Sequence, residues 1–220
     1  MKHRKRWLAA ATAAVAIGYT ARSASHGDVR GADAVRKLYN RLAPTYNATA
    51  WIFQPLGAER LQKRAVDLLD LHPGDTVVDL GCGTGINLPQ VTLIQGDIRE
   101  VRLPPDTTGA LATASLEMIP EQDTLIGNLA AQLSPSRGTL AVLGLRRPPA
   151  WPPWAVALGR TATAPFGVTR AYEDIQPWRS VRKHLDEIAF NTALGGALYL
   201  IVARVSPPHG EGAEQPPSQP

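Results

Sequence analysis

The sequence predicts an α/β fold, because short apolar runs of strand length alternate with longer segments of helical periodicity. Several of the apolar runs end at a glycine or follow a Pro/Gly turn, as buried strands do. The chain has 220 residues, 44% of them hydrophobic, which is enough for one sizeable core. We therefore expect a single domain in which helices cover a mostly parallel sheet.

The predicted helices have apolar residues at three- and four-residue spacing. They are residues 33–71, broken at Pro44 into two or three pieces, 125–135, a short helix within 146–167, and the part of 172–190 that follows Pro177. The predicted strands are residues 75–80, 90–97, 109–115, 137–145 and 195–205. The third strand, "GALATAS", is the weakest of these because alanine contributes little to strand formation.

The two ends of the chain differ from its middle. Residues 1–30 are basic and Ala-rich, with an uncharged run at 7–21 that has the layout of an export signal or signal anchor. That run is shorter than the ~20 residues that span a bilayer, so an Ala-rich helix lying on the domain and a misassigned start codon remain alternatives. Residues 206–220 are rich in Pro, Gly and Gln, and we expect them to be disordered. The domain itself is predicted to occupy residues 31–205.

The charge distribution excludes one class of partner. The formal net charge is +4, but residues 1–30 hold six of the 23 Lys/Arg and only one of the 19 acidic residues. The remaining domain is close to neutral, so we expect no nucleic-acid binding. Cys82 is the only cysteine, which excludes an intramolecular disulfide and a multi-cysteine metal site. We expect no bound metal and interpret Cys82 as a small packed residue.

The stretch "VVDLGCGTG" at residues 77–85 is the most informative motif. A buried strand leads into a glycine-rich turn, and glycines allow a ligand to lie against the backbone. The turn lacks the third glycine of the dinucleotide fingerprint, and no Lys-Ser/Thr pair follows it. The turn is therefore poorly suited to bind either a dinucleotide or a nucleoside triphosphate.

This stretch resembles motif I of the class I S-adenosylmethionine-dependent methyltransferases, in particular the small-molecule branch related to ubiquinone/menaquinone C-methyltransferases. The resemblance runs from Tyr39 to Val205. It is supported by three further stretches: "YNRLAPTYNATAWIFQPL" (39–56), "VTLIQGDIREVRLPPDT" (91–107) and "LSPSRGTLAVLGLRRP" (133–148). A Rossmann-like sandwich and S-adenosyl-L-methionine as cofactor are what the resemblance implies.

The resemblance also implies roles for individual residues. Asp79 and the glycine turn would hold the amino-acid end of the cofactor, and Asp97 and Ile98 would meet its adenine. Two tyrosines on the N-terminal helices would close over the site, although either could be a packing residue and Asp97 could cap a turn. The implied cofactor-binding residues are Tyr39, Tyr46, Asp79, Gly81, Cys82, Gly83, Gly85, Asp97 and Ile98.

The sequence departs from the family between Gly85 and Val91, where only "INLPQ" stands in place of two helices and a strand. A parallel crossover needs about ten to twelve residues, so we expect a fold truncated by one βα unit. The omitted strand carries the acid that binds the cofactor's ribose in the family. Asp97, 18 residues after Asp79, could instead take that role. The exposed sheet face would need a cover: a second copy of the chain, the N-terminal segment or a membrane.

Two functions remain open at this point. One is a methyltransferase acting on a small apolar acceptor, with its domain in the cytoplasm where the cofactor is available, and with membrane association through residues 7–21. The alternative is a degenerate, non-catalytic homologue with a binding or regulatory role. No catalytic residue can be assigned. Glu117 is a better acid/base candidate than His184, which we expect to be solvated, and Trp151–Trp154 could form an acceptor wall or a packed loop.

Overall fold

The computed structural model describes residues 37–38, 40, 57–82, 96–164, 168 and 174–205. Its helices are α1 (Ala58–Leu68), α2 (Gln122–Leu133), α3 (Pro153–Thr163) and α4 (Pro177–His184). Its strands are β1 (Thr76–Leu80), β2 (Thr107–Thr113), β3 (Thr139–Leu145), β4 (Asp186–Ala193) and β5 (Leu198–Arg204). Two short 3₁₀ turns, Leu116–Met118 and Leu194–Gly196, follow β2 and β4.

The described strands form one five-stranded sheet in the order β1-β2-β3-β5-β4. Strands β1, β2 and β3 run parallel, whereas β5 is antiparallel to both β3 and β4. The predicted α/β class is confirmed, and the sheet is mixed rather than mostly parallel. The reason is the short turn at residues 194–197, since two strands joined so closely can only pair as an antiparallel hairpin.

Helices cover both faces of the sheet. Because successive strand residues point to opposite faces, alternate positions of β3 divide between two cores. One core contains Leu61, Ala65 and Leu69 at α1, packed against Leu111, Ala141, Leu143, Leu198, Leu200 and Val202. The other places α2 and α4 on the opposite face, against Ala110, Ala112, Leu140, Val142, Tyr199 and Ile201. We refer to these below as the α1 face and the α2/α4 face.

The helix predicted from Pro177 to residue 190 is confirmed as far as His184 and is wrong beyond it. Helix α4 begins with Pro177 in its first turn, where a missing N–H costs nothing, and it ends at His184. Leu185 is extended, and Asp186–Ala193 then pair with β5 as an edge strand of the described sheet. The hydrogen-bonding groups of β5 decide this outcome, because the local sequence "DEIAFNTA" has no clear period of either kind.

Several sequence predictions fall outside the described residues. These are the N-terminal segment 1–30, the tail 206–220, the stretch 86–90 and most of the predicted strand 90–97, of which only Gly96 and Asp97 are described and neither is in a strand. The proposed truncation and the cover of the sheet therefore stay predictions. Among the residues that the structure describes, no helix has the length and apolar character needed to cross a membrane.

Candidate functional site

The carboxyl ends of β1, β2 and β3 lie at the same edge of the sheet because the three strands are parallel. In open α/β sheets, ligands bind in the crevice outside this edge. The glycine turn follows β1, Ser115 and Glu117 follow β2, and Arg146 follows β3. The sequence motif and the residues after the two neighbouring strands are thus brought together.

Gly81 is the first residue of the turn after β1, and its environment admits only glycine. Its φ of 77° lies in the left-handed region, and a Cβ built on it would lie 2.8 Å from the Cβ of Ser115. The Ser115 hydroxyl in turn donates a hydrogen bond of 2.8 Å to the carbonyl of Leu80. The ends of β1 and β2 are held together in this way, and the backbone at Gly81 is left without a side chain.

Asp79 lies at the penultimate position of β1 and is half-buried. Its Oδ1 is buried and has no hydrogen-bond partner among the described residues. Burial raises the pKa of this carboxyl above its ordinary value. A buried carboxylate oxygen without a partner is costly, and a cationic donor bound beside it would remove that cost.

Thr113, at the last position of β2, is a site residue that sequence analysis missed. It lies two residues after Leu111, the register partner of Asp79, and therefore on the same face of the sheet. Its Oγ1 is also buried without a partner in the described part of the chain. The available signal was a threonine at the carboxyl end of an Ala-rich strand beside the glycine turn.

Cys82 is half-buried and its thiol is free. Gly83, Gly85, Tyr39 and Tyr46 lie outside the described residues, so their predicted roles are neither supported nor opposed by the geometry. No group of three or more His, Cys, Asp or Glu that could hold a metal ion occurs in the described ranges.

Asp97 already accepts hydrogen bonds from Arg99. Its carboxylate accepts hydrogen bonds from the backbone N–H of Arg99 at 2.9 Å and from the Nε of the same arginine at 2.9 Å. These bonds lower its pKa to about 2. Ile98 packs against the core on the α2/α4 face. A cofactor adenine or ribose that bound Asp97 would have to share the carboxylate with Arg99.

Glu117 lies on the 3₁₀ turn after β2 and is only 1% exposed. The hydroxyl of Tyr199 donates to its Oε1 at 2.8 Å, whereas Oε2 has no partner among the described residues. Burial raises its pKa to about 7, against the opposing effect of its hydrogen bonds. The carboxylate occupies the space where a Cβ of Gly144 would lie, beneath the α2/α4 face. Glu117 therefore ties the end of β2 to β3 and β5 and does not face an open cleft.

His184 contradicts the expectation that it is solvated. Its side chain is 26% exposed, and its Nε2 lies 3.2 Å from the Oδ1 of Asp123 on α2. Its ring fits against Gly127, where an added Cβ would lie 3.1 Å from Cε1. Lys183 binds the other oxygen of Asp123 at 2.6 Å. These contacts join α4 to α2 and lie in a helix interface.

The Trp/Pro stretch separates into two parts. Trp151 is half-buried and lies against the turn between β4 and β5, where a Cβ on Gly195 would lie 2.6 Å from its Nε1. Trp154, at the start of α3, is 71% exposed. The turn lies beside the carboxyl end of β3, so Trp151 lies near the edge of the sheet where ligands bind in this class of fold. That Trp151 forms a wall against the methyl acceptor remains a prediction.

The structure is similar to solved methyltransferases. A chain in the complex between the Haloferax volcanii Trm112 methyltransferase activator and a protein described as a putative methyltransferase matches with a TM-score of 0.52 at 14% identity, over 73% of this chain and 96% of that chain. Geranyl diphosphate C-methyltransferase from Streptomyces coelicolor, solved with Mg²⁺, geranyl diphosphate and S-adenosyl-L-homocysteine, gives a TM-score of 0.47 at 13% identity, over 67% and 80% of the two chains. A Bordetella parapertussis protein described as exported gives 0.49 at 15% identity, over 66% and 67%.

No protein-family model and no curated protein matches the sequence. At 14% identity, the similarity to the chain from the Haloferax volcanii complex concerns the fold. The chain has an α/β fold of the Rossmann-like methyltransferase kind, as the resemblance of its glycine turn implied.

Proposed function

We propose that the protein binds S-adenosyl-L-methionine and transfers its methyl group to a small acceptor. The observation that carries the proposal is the pairing of two features at the end of β1. One is the buried Oδ1 of Asp79, which has no hydrogen-bond partner among the described residues, and the other is Gly81, where a Cβ would clash with Ser115. A carboxylate beside bare backbone suits a ligand whose end carries both an ammonium and a carboxylate.

Asp79 would accept a hydrogen bond from the cofactor's ammonium, and the backbone at Gly81 and Cys82 would lie along its amino-acid end. The buried Thr113 hydroxyl is a second polar group available to the ligand on the same face. By the resemblance, Gly83 and Gly85 would complete the turn. Asp97 and Ile98 would then meet the adenine, with Tyr39 and Tyr46 covering the site.

The cofactor, when bound, supplies an electrophilic methyl group on a sulfonium. The protein then has to align the acceptor with that methyl group and exclude water, and such orientation can lower a barrier by about 7–11 kcal/mol. A general base is needed only for an acceptor that carries a proton. Glu117 is 1% exposed and hydrogen-bonded to Tyr199, so its contribution is to hold the turn after β2 in place.

Calorimetry with S-adenosylhomocysteine on the full chain tests the proposal. We expect micromolar binding that Asp79→Asn weakens by about tenfold to a hundredfold, since a hydrogen bond to a charged group contributes about 1.5–3 kcal/mol. Asp75→Asn is the matched control, because Asp75 lies four residues earlier, just before the other end of β1. Absence of heat at millimolar ligand would refute cofactor binding, and equal losses in both variants would refute the role of Asp79.

A non-catalytic homologue with a binding or regulatory role is the second candidate. Two observations favour it: only five residues stand between Gly85 and Val91, and the carboxylate of Asp97 is already hydrogen-bonded to Arg99. If the ribose has no other acidic partner, affinity falls toward the millimolar range. Micromolar binding in the same titration excludes this candidate.

We also propose that the domain faces the cytoplasm, where the cofactor is available, with membrane association through residues 7–21. A second copy of the chain is a further candidate to cover the exposed sheet face that the sequence predicts. Cell fractionation with a C-terminal tag tests the location, and sedimentation of the purified chain tests the oligomer. Recovery of the tagged domain outside the cell would contradict an active enzyme.

A further inference from the structure

Two arginines stack on the Phe190 ring of β4, and one of them, Arg182, has a carboxylate partner among the described residues. The guanidinium carbon of Arg182 lies 4.7 Å from the centre of the Phe190 ring, and that of Arg146 lies 5.4 Å from it. Arg182 forms an ion pair with Glu187 through its Nε. No carboxylate of the described residues lies within 4.0 Å of the guanidinium of Arg146.

The position of Arg146 is set by three separate elements. Its guanidinium carbon is 5.9 Å from the centre of the Trp178 ring on α4, and the Phe190 ring on β4 forms a second aromatic neighbour. Its Nε donates to the carbonyl of Gly196 at 2.8 Å. Aromatic faces attract a guanidinium without neutralising its charge. The side chain is therefore held in place while its two terminal nitrogens have no hydrogen-bond acceptor in the described part of the chain.

The turn that binds Arg146 is also specialised. Leu194, Gly195 and Gly196 have φ angles of 51°, 59° and 92°, all in the left-handed region. A Cβ on Gly196 would lie 3.3 Å from the Nη2 of Arg146, so a larger residue there would crowd the guanidinium. A backbone of this kind is costly in a leucine. A guanidinium fork held beside this turn, just after the carboxyl end of β3, is suited to a carboxylate or a phosphate.

We infer that Arg146 binds the anionic group of the methyl acceptor, and that the acceptor class is an apolar molecule with a carboxylate or a phosphate. The inference rests on the proposed function, because it assigns the acceptor side of the same site. Trp151 lies against the same turn and would contact the apolar part. Residues 146–164 contain three arginines and no acidic residue, so the surroundings of this side favour an anion.

The test uses three naphthalene probes that share one apolar body: naphthoate, naphthyl phosphate and the neutral naphthamide. Their dissociation constants are measured on the full chain, with and without saturating S-adenosylhomocysteine. We expect at least one of the anions to bind about tenfold more tightly than the amide, or better. Added salt should weaken the binding of the two anionic probes and leave the binding of the amide unchanged. The two anions separate a carboxylate site from a phosphate site.

Arg146→Gln should reduce the preference for the anion to about twofold or less, while the affinity for S-adenosylhomocysteine stays the same. Arg182→Gln is the matched control, because it removes an arginine from the same Phe190 ring and should keep the preference. If Arg146→Gln does not fold, Arg146→Lys is the second variant. It retains the positive charge without the planar guanidinium, and it should keep only part of the preference for the anionic probes over the amide.

Equal binding of all three probes to the wild-type protein, or no binding of any of them, overturns the inference. So does a preference that survives Arg146→Gln, or one that Arg182→Gln removes equally. An anion preference without any binding of S-adenosylhomocysteine contradicts the proposed function and leaves Arg146 as an anion site. Binding of S-adenosylhomocysteine without an anion preference contradicts the role of Arg146 alone.

Discussion

Replacing Glu117 by glutamine should remove a pH dependence of stability that this one buried carboxyl causes. Burial raises the pKa of Glu117 from 4.5 to about 7 in the folded protein. Between these two pH values the unfolded chain has released the proton and the folded protein still holds it. The folded state therefore binds more protons, and its stability falls as the pH rises.

The magnitude follows from the size of the shift. Each pKa unit corresponds to about 1.36 kcal/mol, so Glu117 should cost about 3 kcal/mol of stability between pH 4.5 and pH 7. A loss of this size is a large fraction of the net stability of a typical domain. Glutamine has nearly the same shape, and its amide oxygen can still accept from the Tyr199 hydroxyl. Its NH₂ would be left in the place of the unpartnered Oε2, which adds an offset that does not depend on pH.

The assay is urea unfolding of the wild-type and Glu117→Gln proteins at pH values from 4 to 8. The free energy of unfolding of the wild type minus that of the variant should fall by about 3 kcal/mol across this range, because all other groups cancel in the difference. Glu100→Gln, at an exposed position, is the control and should give a difference that changes little. A flat difference for Glu117→Gln would refute the assignment of a protonated buried carboxyl.

Three further substitutions test the packing around the site. Gly81→Ala should destabilise the fold by about 1–3 kcal/mol more than Gly74→Ala, because both glycines have left-handed φ but only the first lacks room for a Cβ; equal midpoints in urea would contradict this. Gly144→Ala should cost about 1–3 kcal/mol by displacing the Glu117 carboxylate. Combining it with Glu117→Ala should recover part of that loss in a double-mutant cycle, and strict additivity would refute the contact. Tyr199→Phe should cost about 1.5–3 kcal/mol above pH 7 and less below pH 5, since the hydroxyl bonds the ionised carboxylate more strongly; a loss that is the same at both pH values would show that the bond does not favour the ionised form.

The alternation of strands and helices could be predicted because it depends on local periodicity. The strands after "HPG" and "SRG" and the helix before Pro135 lie where their apolar patterns place them, within a few residues. Pro177 also marked the start of a helix through its fixed φ. The end of that helix was missed, because the pairing with β5 that makes residues 186–193 a strand lies in a segment further along the chain.

The features of the candidate site likewise divide into those that depend on neighbouring residues and those that depend on residues distant in the chain. Asp79 and Gly81 could be named as candidates from the sequence, since one short stretch carries both the strand end and the turn that suit a cofactor. The contact of Glu117 with Tyr199 joins residues 82 positions apart. Position 144 is glycine because the Glu117 carboxylate, from the 3₁₀ turn after β2, fills the space of a Cβ there. Both follow from the pairing of β2 with β3 and of β3 with β5, which no local pattern expresses.

By itself the sequence determined the α/β class and the glycine turn, because hydrophobic period and backbone freedom are properties of neighbouring residues. Only the tertiary structure decided which side chains lose water without gaining a partner in the described part of the chain, such as Asp79 and Thr113. It also decided that Arg146 stands between aromatic rings from α4 and β4. Burial and charge environment depend on elements distant in the chain, and they decide which polar residues are candidates for binding a ligand.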